Sequence, residues 1–134
     1  MDKGRTIELT VDSGAAETVT SETEIPEFPT VNPSGPERYT TYILPDGSHV
    51  GNQGEKHVEV TTKAGSRCTV RMQVTGVRKS LMSVSKVCDA GHRVIFDKHG
   101  GYIEHETTGQ RTSFERKGGV YSLRLNLDNG KDFR

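Results

Sequence analysis

Apolar and polar residues alternate strictly near the start of the chain, between Thr6 and Val11. Ile7, Leu9 and Val11 fall on one side of this pattern, and threonine and glutamate fall on the other. A period of two residues is typical of a β-strand that buries one face and exposes the other. The predicted strand leads directly into Asp12-Ser13-Gly14, a sequence with the composition of a tight turn.

Further strands are predicted from the same pattern and from the turn residues between them. The predicted ranges are 40–44, 48–50, 57–63, 68–74, 93–97, 101–106, 111–114 and 120–127. Pro45-Asp46-Gly47 closes a hairpin between the first two, because proline presets its φ angle and glycine tolerates a positive one. Residues 17–38 contain four of the five prolines and show no sustained period, so we expect a long surface loop that is poorly ordered in part.

One short helix is predicted at residues 84–90. The i, i+3, i+4 spacing places three residues on its inner face: Val84, Val87 and Cys88. Ser83 is suited to cap the start of the helix and Gly91 to follow its end. Cys88 is therefore expected to be a small core residue rather than a nucleophile.

The composition indicates one mostly β domain with a thin core. The chain has 134 residues, of which 31% are hydrophobic. Valine, isoleucine and threonine together number 33, against 10 alanines and leucines, and β-branched side chains favour the extended backbone. The length suits a single domain and is too short for two well-packed ones.

The charge pattern argues against several kinds of partner. Eighteen basic and eighteen acidic residues cancel, so no overall field attracts nucleic acid or an anionic membrane. The sequence shows neither a long apolar run nor a signal peptide, and we expect an intracellular, cytoplasmic protein. Cys88 and His92 have a C-x3-H spacing without a second ligand pair, so neither a metal nor another cofactor is predicted. The five histidines lie among polar residues and are expected at the surface.

The candidate chemistry lies in Asp12-Ser13-Gly14, although the same three residues also occur in ordinary turns. The segment from Ile7 to Val19 contains an apolar strand, then Asp-Ser-Gly-Ala, and then a threonine followed by an apolar residue. This order resembles the catalytic segment of the retropepsins, a family of aspartic proteases.

A second resemblance to the same family lies between Leu81 and Phe96. An apolar pair, a small residue, a short helix ending in glycine and a strand follow one another there. The hairpin at Asp46 and Gly47 occupies the place of the family's flap, which folds over bound substrate. Residues 94–97, 108–109, 116 and 119–123 extend the resemblance to the protease region of copia-type retrotransposon polyproteins. It covers roughly residues 6 to 127, and departs from retroviral members in Ser83, which replaces a glycine, in the eleven residues before Asp12 and in the extension after Phe96.

The resemblance implies an all-β fold, a closed retropepsin-like barrel with one short helix and an extra C-terminal β-hairpin region. Residues 1–97 would form the protease domain, and residues 98–134 an extension similar to the start of the pre-integrase segment. The implied substrate is the chain's own polyprotein, cleaved in the cytoplasm or within virus-like particles. Asp12 would be catalytic, Ser13 would brace the paired turns, Gly14 would allow their close approach, and Ala15 would leave room for substrate.

The chemistry of such a protease requires two carboxyl groups. One takes a proton from water while the other, still protonated, donates to the carbonyl oxygen of the peptide bond. Two adjacent carboxyls share a proton because both cannot easily ionise. Asp89, Asp97 and Asp128 lack the strand-Asp-Ser-Gly context, so the second carboxyl would be Asp12 of an identical chain in a homodimer.

Two other functions remain open from the sequence. The fold could serve as an inactive dimerisation or peptide-binding module, because fold alone does not determine function. A β-rich linker domain without a site is the third reading. The intact Asp-Ser-Gly-Ala sequence favours the enzyme, since a module released from catalysis has no evident need for that turn.

Overall fold

The computed structural model describes residues 3–33, 41–43 and 46–128 of the chain. Within this part the protein is mostly β, with one short helix. The strands are β1 (Lys3–Asp12), β2 (Val19–Thr20), β3 (Thr41–Ile43), β4 (His49–Gly51), β5 (Gly54–Thr61), β6 (Arg67–Val74), β7 (Leu81–Ser83), β8 (His92–Phe96), β9 (Gly100–His105), β10 (Arg111–Lys117) and β11 (Val120–Asp128). Helix α1 (Val84–Asp89) follows β7 without a break. The all-β prediction is confirmed.

Among the residues that the structure describes, nine strands form one sheet in the order β1-β7-β2-β6-β5-β11-β10-β9-β8, and β3 and β4 form a separate two-stranded sheet. Strand β1 also pairs with β11, in a register that includes Leu9 opposite Leu123. The pairings β1–β7, β7–β2, β2–β6, β6–β5, β5–β11 and β11–β1 therefore join six strands in a ring. Strands β8 to β10 extend from this ring beside β11.

The core lies on the inner faces of the ring strands. Ile7, Leu9 and Val11 are buried on one face of β1, as their alternation predicts. Side chains from β5, β6, β7 and β11 pack against them: Val58, Val60, Met72, Met82, Leu123, Leu125 and Leu127. Because β1 contributes alternate residues to this core, a shift of its register by one residue would expose all three.

The segment at residues 17–33 is more than the surface loop that the prolines predicted. Strand β2 pairs with both β6 and β7, and Ile25 is 1% exposed. The Nζ of Lys56, itself buried on β5, donates to the carbonyl oxygens of Ile25 at 2.6 Å and Glu22 at 3.3 Å. A buried ammonium needs such acceptors, and here they fasten the segment to the sheet. Residues 34–38 of the predicted loop lie outside the described residues.

Two other expectations are resolved by the structure. Cys88 is exposed, so its prediction as a core residue was wrong, and only Val84 and Val87 of that helix face pack against the core. His92 and His105 are half-buried with their rings in edge contact, 5.0 Å between centroids, rather than at the open surface.

The predicted boundary between residues 97 and 98 falls in the turn joining β8 and β9, which pair antiparallel in the same sheet. No helix in the described ranges combines the length and the apolar character needed to cross a membrane.

Candidate active site

Asp12 is the last residue of β1, at the point where the chain leaves the sheet. Strand β7 runs parallel to β1 and places Ser83 opposite Asp12. The Oδ1 atom of Asp12 accepts a hydrogen bond from the N–H of Gly14 at 2.8 Å, and its backbone carbonyl accepts from the N–H of Ala15 at 3.4 Å. The aspartate thus closes its own turn with one oxygen, and Asp12 as a whole residue is half-buried.

Ser83 supports this turn through hydrogen bonds to the residues that follow Asp12. Its fully buried hydroxyl donates to the carbonyl oxygen of Ala15 at 2.6 Å and accepts from the N–H of Lys86 at 3.2 Å, which caps helix α1. Its N–H donates to Oγ1 of buried Thr18 at 3.0 Å. One serine therefore joins the end of β7, the start of α1 and the segment that follows Asp12. The sequence predicted its capping role but not its bond to Ala15.

A second link between the turn and the helix is electrostatic. Glu17 and Lys86 form an ion pair with 3.2 Å between oxygen and nitrogen, and the Glu17 side chain is the more buried of the two. Thr18 belongs to the segment that resembles the retropepsins, but its hydrogen bond to Ser83 and the Glu17–Lys86 pair were not predicted from the sequence. The β-branched run Thr18-Val19-Thr20 was the available signal, because it has the composition of a short strand.

The outer side of the turn is open. Ser13 and Gly14 are exposed, whereas Ala15 is half-buried under the Ser83 hydroxyl. Among the described residues, a methyl group built on Gly14 would meet only Oδ1 of Asp12, at 3.4 Å, which is an ordinary contact. The φ angle of Gly14 lies outside the positive region that favours glycine. Neither the space nor the backbone conformation within one chain therefore requires glycine here.

The other described aspartates have different surroundings. Asp97 accepts backbone hydrogen bonds in the β8–β9 turn, and Asp128 accepts from the Thr61 hydroxyl at 2.6 Å. Asp89 is exposed at the end of α1. Within the described ranges, the carboxylate of Asp12 has no carboxyl group as a hydrogen-bond partner. A pair of catalytic carboxyls is thus not assembled inside this part of the chain.

Asp46 and Gly47 lie at the tip of the β3–β4 hairpin. The Oδ1 atom of Asp46 accepts from the N–H of Ser48 at 2.9 Å and from its hydroxyl at 2.6 Å, and Gly47 has a φ of 85°. These two hydrogen bonds, led by that of the hydroxyl, hold the pKa of Asp46 below its ordinary value. Ile43 on β3 is 70% exposed. The predicted hairpin is confirmed by the pairing of β3 with β4, and in the described part of the chain it joins no larger sheet.

The base of the hairpin is held by a buried polar cluster. The hydroxyl of Thr75 donates to the carbonyl oxygen of Gly51 at 2.9 Å, and Asn52 donates to the side chain of Gln73 at 2.8 Å. Gln73 in turn donates to the carboxylate of Glu55 at 3.1 Å, beside His57. Burial opposes the ionisation of Glu55, yet the hydrogen bonds from His57 and Gln73 and the charge of Arg71 leave its pKa lowered.

Strands β7 and β2 lie between β1, which carries the turn, and β6, whose end contacts the base of the hairpin through Gln73 and Thr75. Ser13, Gly14 and Ala15 lie together with Asp12, while Asp46 and Gly47 lie on a separate element. The described residues bring together no group of three or more histidine, cysteine, aspartate and glutamate side chains with the geometry of a metal site. No protein-family model, curated protein or solved structure matches the chain.

Proposed function

We propose that the chain is a retropepsin-like aspartic endopeptidase, active as a homodimer, which cleaves the copia-type retrotransposon polyprotein that contains it. The observation that carries the proposal is the Asp12 turn. It presents the carboxyl group of half-buried Asp12 beside two exposed residues, Ser13 and Gly14, on a support fixed by Ser83. The ring of six paired strands around the core supports a closed barrel as the scaffold.

The glycine in the turn supports the homodimer. Its small size has no evident use within one chain, since a methyl group there would meet only an ordinary contact. An approaching surface gives it a use, because two Asp12 turns related by a two-fold axis need room for their backbones. The exposed hydroxyl of Ser13 then lies where it can hydrogen-bond across the axis.

The proposed mechanism follows from two Asp12 carboxyls sharing one proton. The ionised carboxylate removes a proton from water, and the hydroxide equivalent attacks the carbonyl carbon of the peptide bond. The protonated carboxyl donates to the carbonyl oxygen, and the resulting tetrahedral intermediate collapses as a proton passes to the leaving amine. Because Gly14 N–H already donates to Oδ1, the other oxygen of each aspartate remains for the partner carboxyl and the water.

The β3–β4 hairpin is suited to the role of a flap. Its base is fixed by Thr75 and Asn52, while its tip projects as a separate two-stranded sheet. The exposed side chain of Ile43 gives it an apolar group with which to cover a bound peptide. A hinged lid of this kind must open to admit substrate and close to exclude water.

The test is cleavage of a fluorogenic peptide library at about pH 5, where a shared proton is retained. The variants are Asp12→Asn and, as a matched control with the same loss of charge, Asp89→Asn on the exposed end of α1. We expect Asp12→Asn to lose all cleavage and the control to keep it. The initial rate should rise with the square of the chain concentration below the dimer dissociation constant.

Mixing the chains tests the shared site directly. Excess Asp12→Asn chain should inhibit the unmodified chain, because mixed dimers hold only one ionisable Asp12. Sedimentation of the same samples reports the dimer. Equal cleavage by Asp12→Asn and the unmodified chain would refute the proposal. A verified dimer that cleaves nothing would instead favour the inactive module.

A further inference from the structure

A chain of hydrogen-bonded side chains, the polar relay, runs from the surface to the base of the β3–β4 hairpin. At its outer end, Nε2 of His57 is hydrogen-bonded to Oε2 of Glu55 on the same strand. The other oxygen of Glu55 accepts from the Gln73 amide at 3.1 Å, and the Gln73 oxygen accepts from the Asn52 amide at 2.8 Å. The Asn52 oxygen in turn accepts from the N–H of Gly54 at 2.9 Å. The relay thus connects a surface histidine to the backbone that leads out of the hairpin.

The charge of Glu55 sets the direction of every hydrogen bond in the relay. A carboxylate accepts hydrogen bonds and cannot donate them, so the nitrogen of the Gln73 amide must face Glu55. The Gln73 oxygen is then left for the Asn52 nitrogen, and the Asn52 oxygen is left for the N–H of Gly54. Glu55 and Gln73 are 2% and 1% exposed, so their partners are protein groups rather than bulk water. The order at the hairpin base therefore depends on how firmly the Glu55 carboxylate is held.

The two members of the Glu55–His57 pair differ sharply in exposure. The His57 side chain is 55% exposed, whereas that of Glu55 is almost completely buried. The imidazole can therefore exchange protons with the solvent, while the buried carboxylate needs partners inside the protein. An imidazole changes its charge between about pH 5 and pH 8. Protonation of His57 converts its hydrogen bond to Glu55 into an ion pair, and such charge-assisted bonds are roughly twice as strong as neutral ones.

The other charged groups near the pair keep their charge over this range of pH. Arg71 on β6 lies 3.8 Å from Oε1 of Glu55 and stays protonated. Glu59 on β5 lies on the same face as His57, and its carboxylate accepts from a threonine hydroxyl on β6. Lys56 turns to the opposite face of β5, where its ammonium group donates to backbone carbonyls.

Glu55 itself stays ionised in mild acid. Burial opposes its ionisation, but the hydrogen bonds from His57 and Gln73 and the charge of Arg71 leave its pKa below the ordinary value. The segment at residues 17–33 meets Glu55 through reciprocal backbone hydrogen bonds with Val31, both 2.8 Å long, which do not titrate. His57 is consequently the member of the described cluster whose charge changes near neutral pH.

We propose that the Glu55–His57 pair is a pH-sensitive latch, which holds the base of the hairpin firmly when His57 is protonated and loosens it when His57 is neutral. The charged imidazole gains its partner in the folded protein, so this stabilisation is complete below the titration of His57 and is lost as the pH rises through it. The latch uses the contacts of the polar relay alone. It stands whether or not the hairpin covers a substrate.

Hydrogen exchange at the hairpin base tests the latch. The reporting amides are those of Gln53, which donates to the Val74 carbonyl at 2.7 Å, and Gly54, which donates to Asn52. NMR gives their protection factors at about pH 5.5 and about pH 7.5, each corrected for the intrinsic pH dependence of exchange. We expect protection about fivefold higher at the lower pH.

Variants at His57 separate the charge from the hydrogen bond. His57→Gln keeps a side-chain N–H donor that cannot titrate, so protection should be at its low value at both pH values. His57→Lys carries a permanent charge in this range, so protection should stay at its high value at both. His99→Gln, at an exposed histidine in the β8–β9 turn, is the matched control and should keep the fivefold change.

His49 lies in the hairpin itself, and His49→Gln determines whether its titration contributes. The pH dependence should persist in that variant, and its loss there would assign the effect to His49 and overturn the proposal. Thermal unfolding at both pH values establishes that each variant is folded, and His57→Lys carries the test if His57→Gln is not. Equal protection of Gly54 at the two pH values in the unmodified chain would also overturn the proposal. So would an unchanged pH dependence in a folded His57 variant.

Discussion

The Asp12 turn and the Asp46 turn contain the same three residue types, as Asp-Ser-Gly and Asp-Gly-Ser. In each, Oδ1 of the aspartate accepts from the N–H two residues later, at 2.8 Å in one and 2.9 Å in the other. Their supports differ completely, since Asp12 ends a central strand backed by Ser83, while Asp46 tops a two-stranded hairpin.

This difference shows that the local hydrogen bond from the aspartate does not by itself distinguish a candidate active site from an ordinary turn. The Asp46 turn is complete in itself, because both donors to its carboxylate belong to Ser48, two residues later in the same turn. The Asp12 turn depends on a residue 68 positions away from Ala15 along the chain. Four predictions test how far the two turns differ.

The largest expected difference is in hydrogen exchange. A hairpin outside the main sheet opens locally at little cost, whereas amides of β6 exchange only through larger unfolding. We expect the amides of Ile43 and His49 to exchange about a thousandfold faster than those of Val70 and Met72. Two-dimensional NMR in deuterated buffer measures both sets together. Similar protection in the two sets would count against a flap.

Truncating an apolar side chain on the strand that leads into each turn should give the next largest difference, in the free energy of unfolding. Leu9 is fully buried on β1, the strand that ends in the Asp12 turn, so Leu9→Ala should lower the free energy of unfolding by about 2–5 kcal/mol. Ile43→Ala on the exposed hairpin should change it by less than about 0.5 kcal/mol. Urea denaturation of both variants makes the comparison, and equal losses would show that the hairpin is packed.

The serine that supports each turn, Ser83 for Asp12 and Ser48 for Asp46, gives a smaller difference in unfolding free energy. Ser83→Ala removes the donor to the Ala15 carbonyl and the cap of α1, and should cost about 1–3 kcal/mol of unfolding free energy. Ser48→Ala acts at an exposed tip and should cost less than about 0.5 kcal/mol. Thermal unfolding ranks the two variants. The reverse ranking would remove Ser83 as the brace of the site.

The smallest expected effect is a pKa shift at the hairpin tip. The Ser48 hydroxyl and N–H hold the pKa of Asp46 below its ordinary value, so Ser48→Ala should raise it. Because the folded-state pKa is depressed, this stabilisation is present above the unfolded pKa and disappears as the pH falls through the folded one. Carbon-13 NMR titration of the Asp46 carboxyl follows the change, and an unmoved pKa would exclude the hydroxyl as its main cause.

The elements with a local signal were predictable from the sequence. The alternation in β1, the Pro-Asp-Gly hairpin and the capped helix all depend on residues close together in the chain, and each lies near its predicted range. Strand β2 was missed because two residues are too short for a period to show. The burial of consecutive Glu55 and Lys56 was also unpredictable, since their partners lie in distant segments.

The candidate site was predictable only in part. Asp12, Ser13 and Gly14 were found from their position after a strand, and the structure places them in one turn. The brace from Ser83 depends on β7 running beside β1, a pairing that no local pattern specifies. The prediction for Cys88 was wrong because the neighbouring elements, rather than the sequence of a two-turn helix, determine which side of that helix faces the core. Here Val84 and Val87 face the core.

The pairing of β1 with β11 also cannot form until late in the synthesis of the chain. The side chains of Thr6 and Asn126 are hydrogen-bonded across 120 residues of chain, so the strand that carries Asp12 has a partner of very high contact order. A ribosome adds about 5–20 residues per second, which separates the emergence of the two strands by roughly ten seconds. Throughout that interval the nascent chain exposes an unpaired edge of β1. Translation speed, rather than local stability, thus determines how long that edge is open to other strands before β11 covers it.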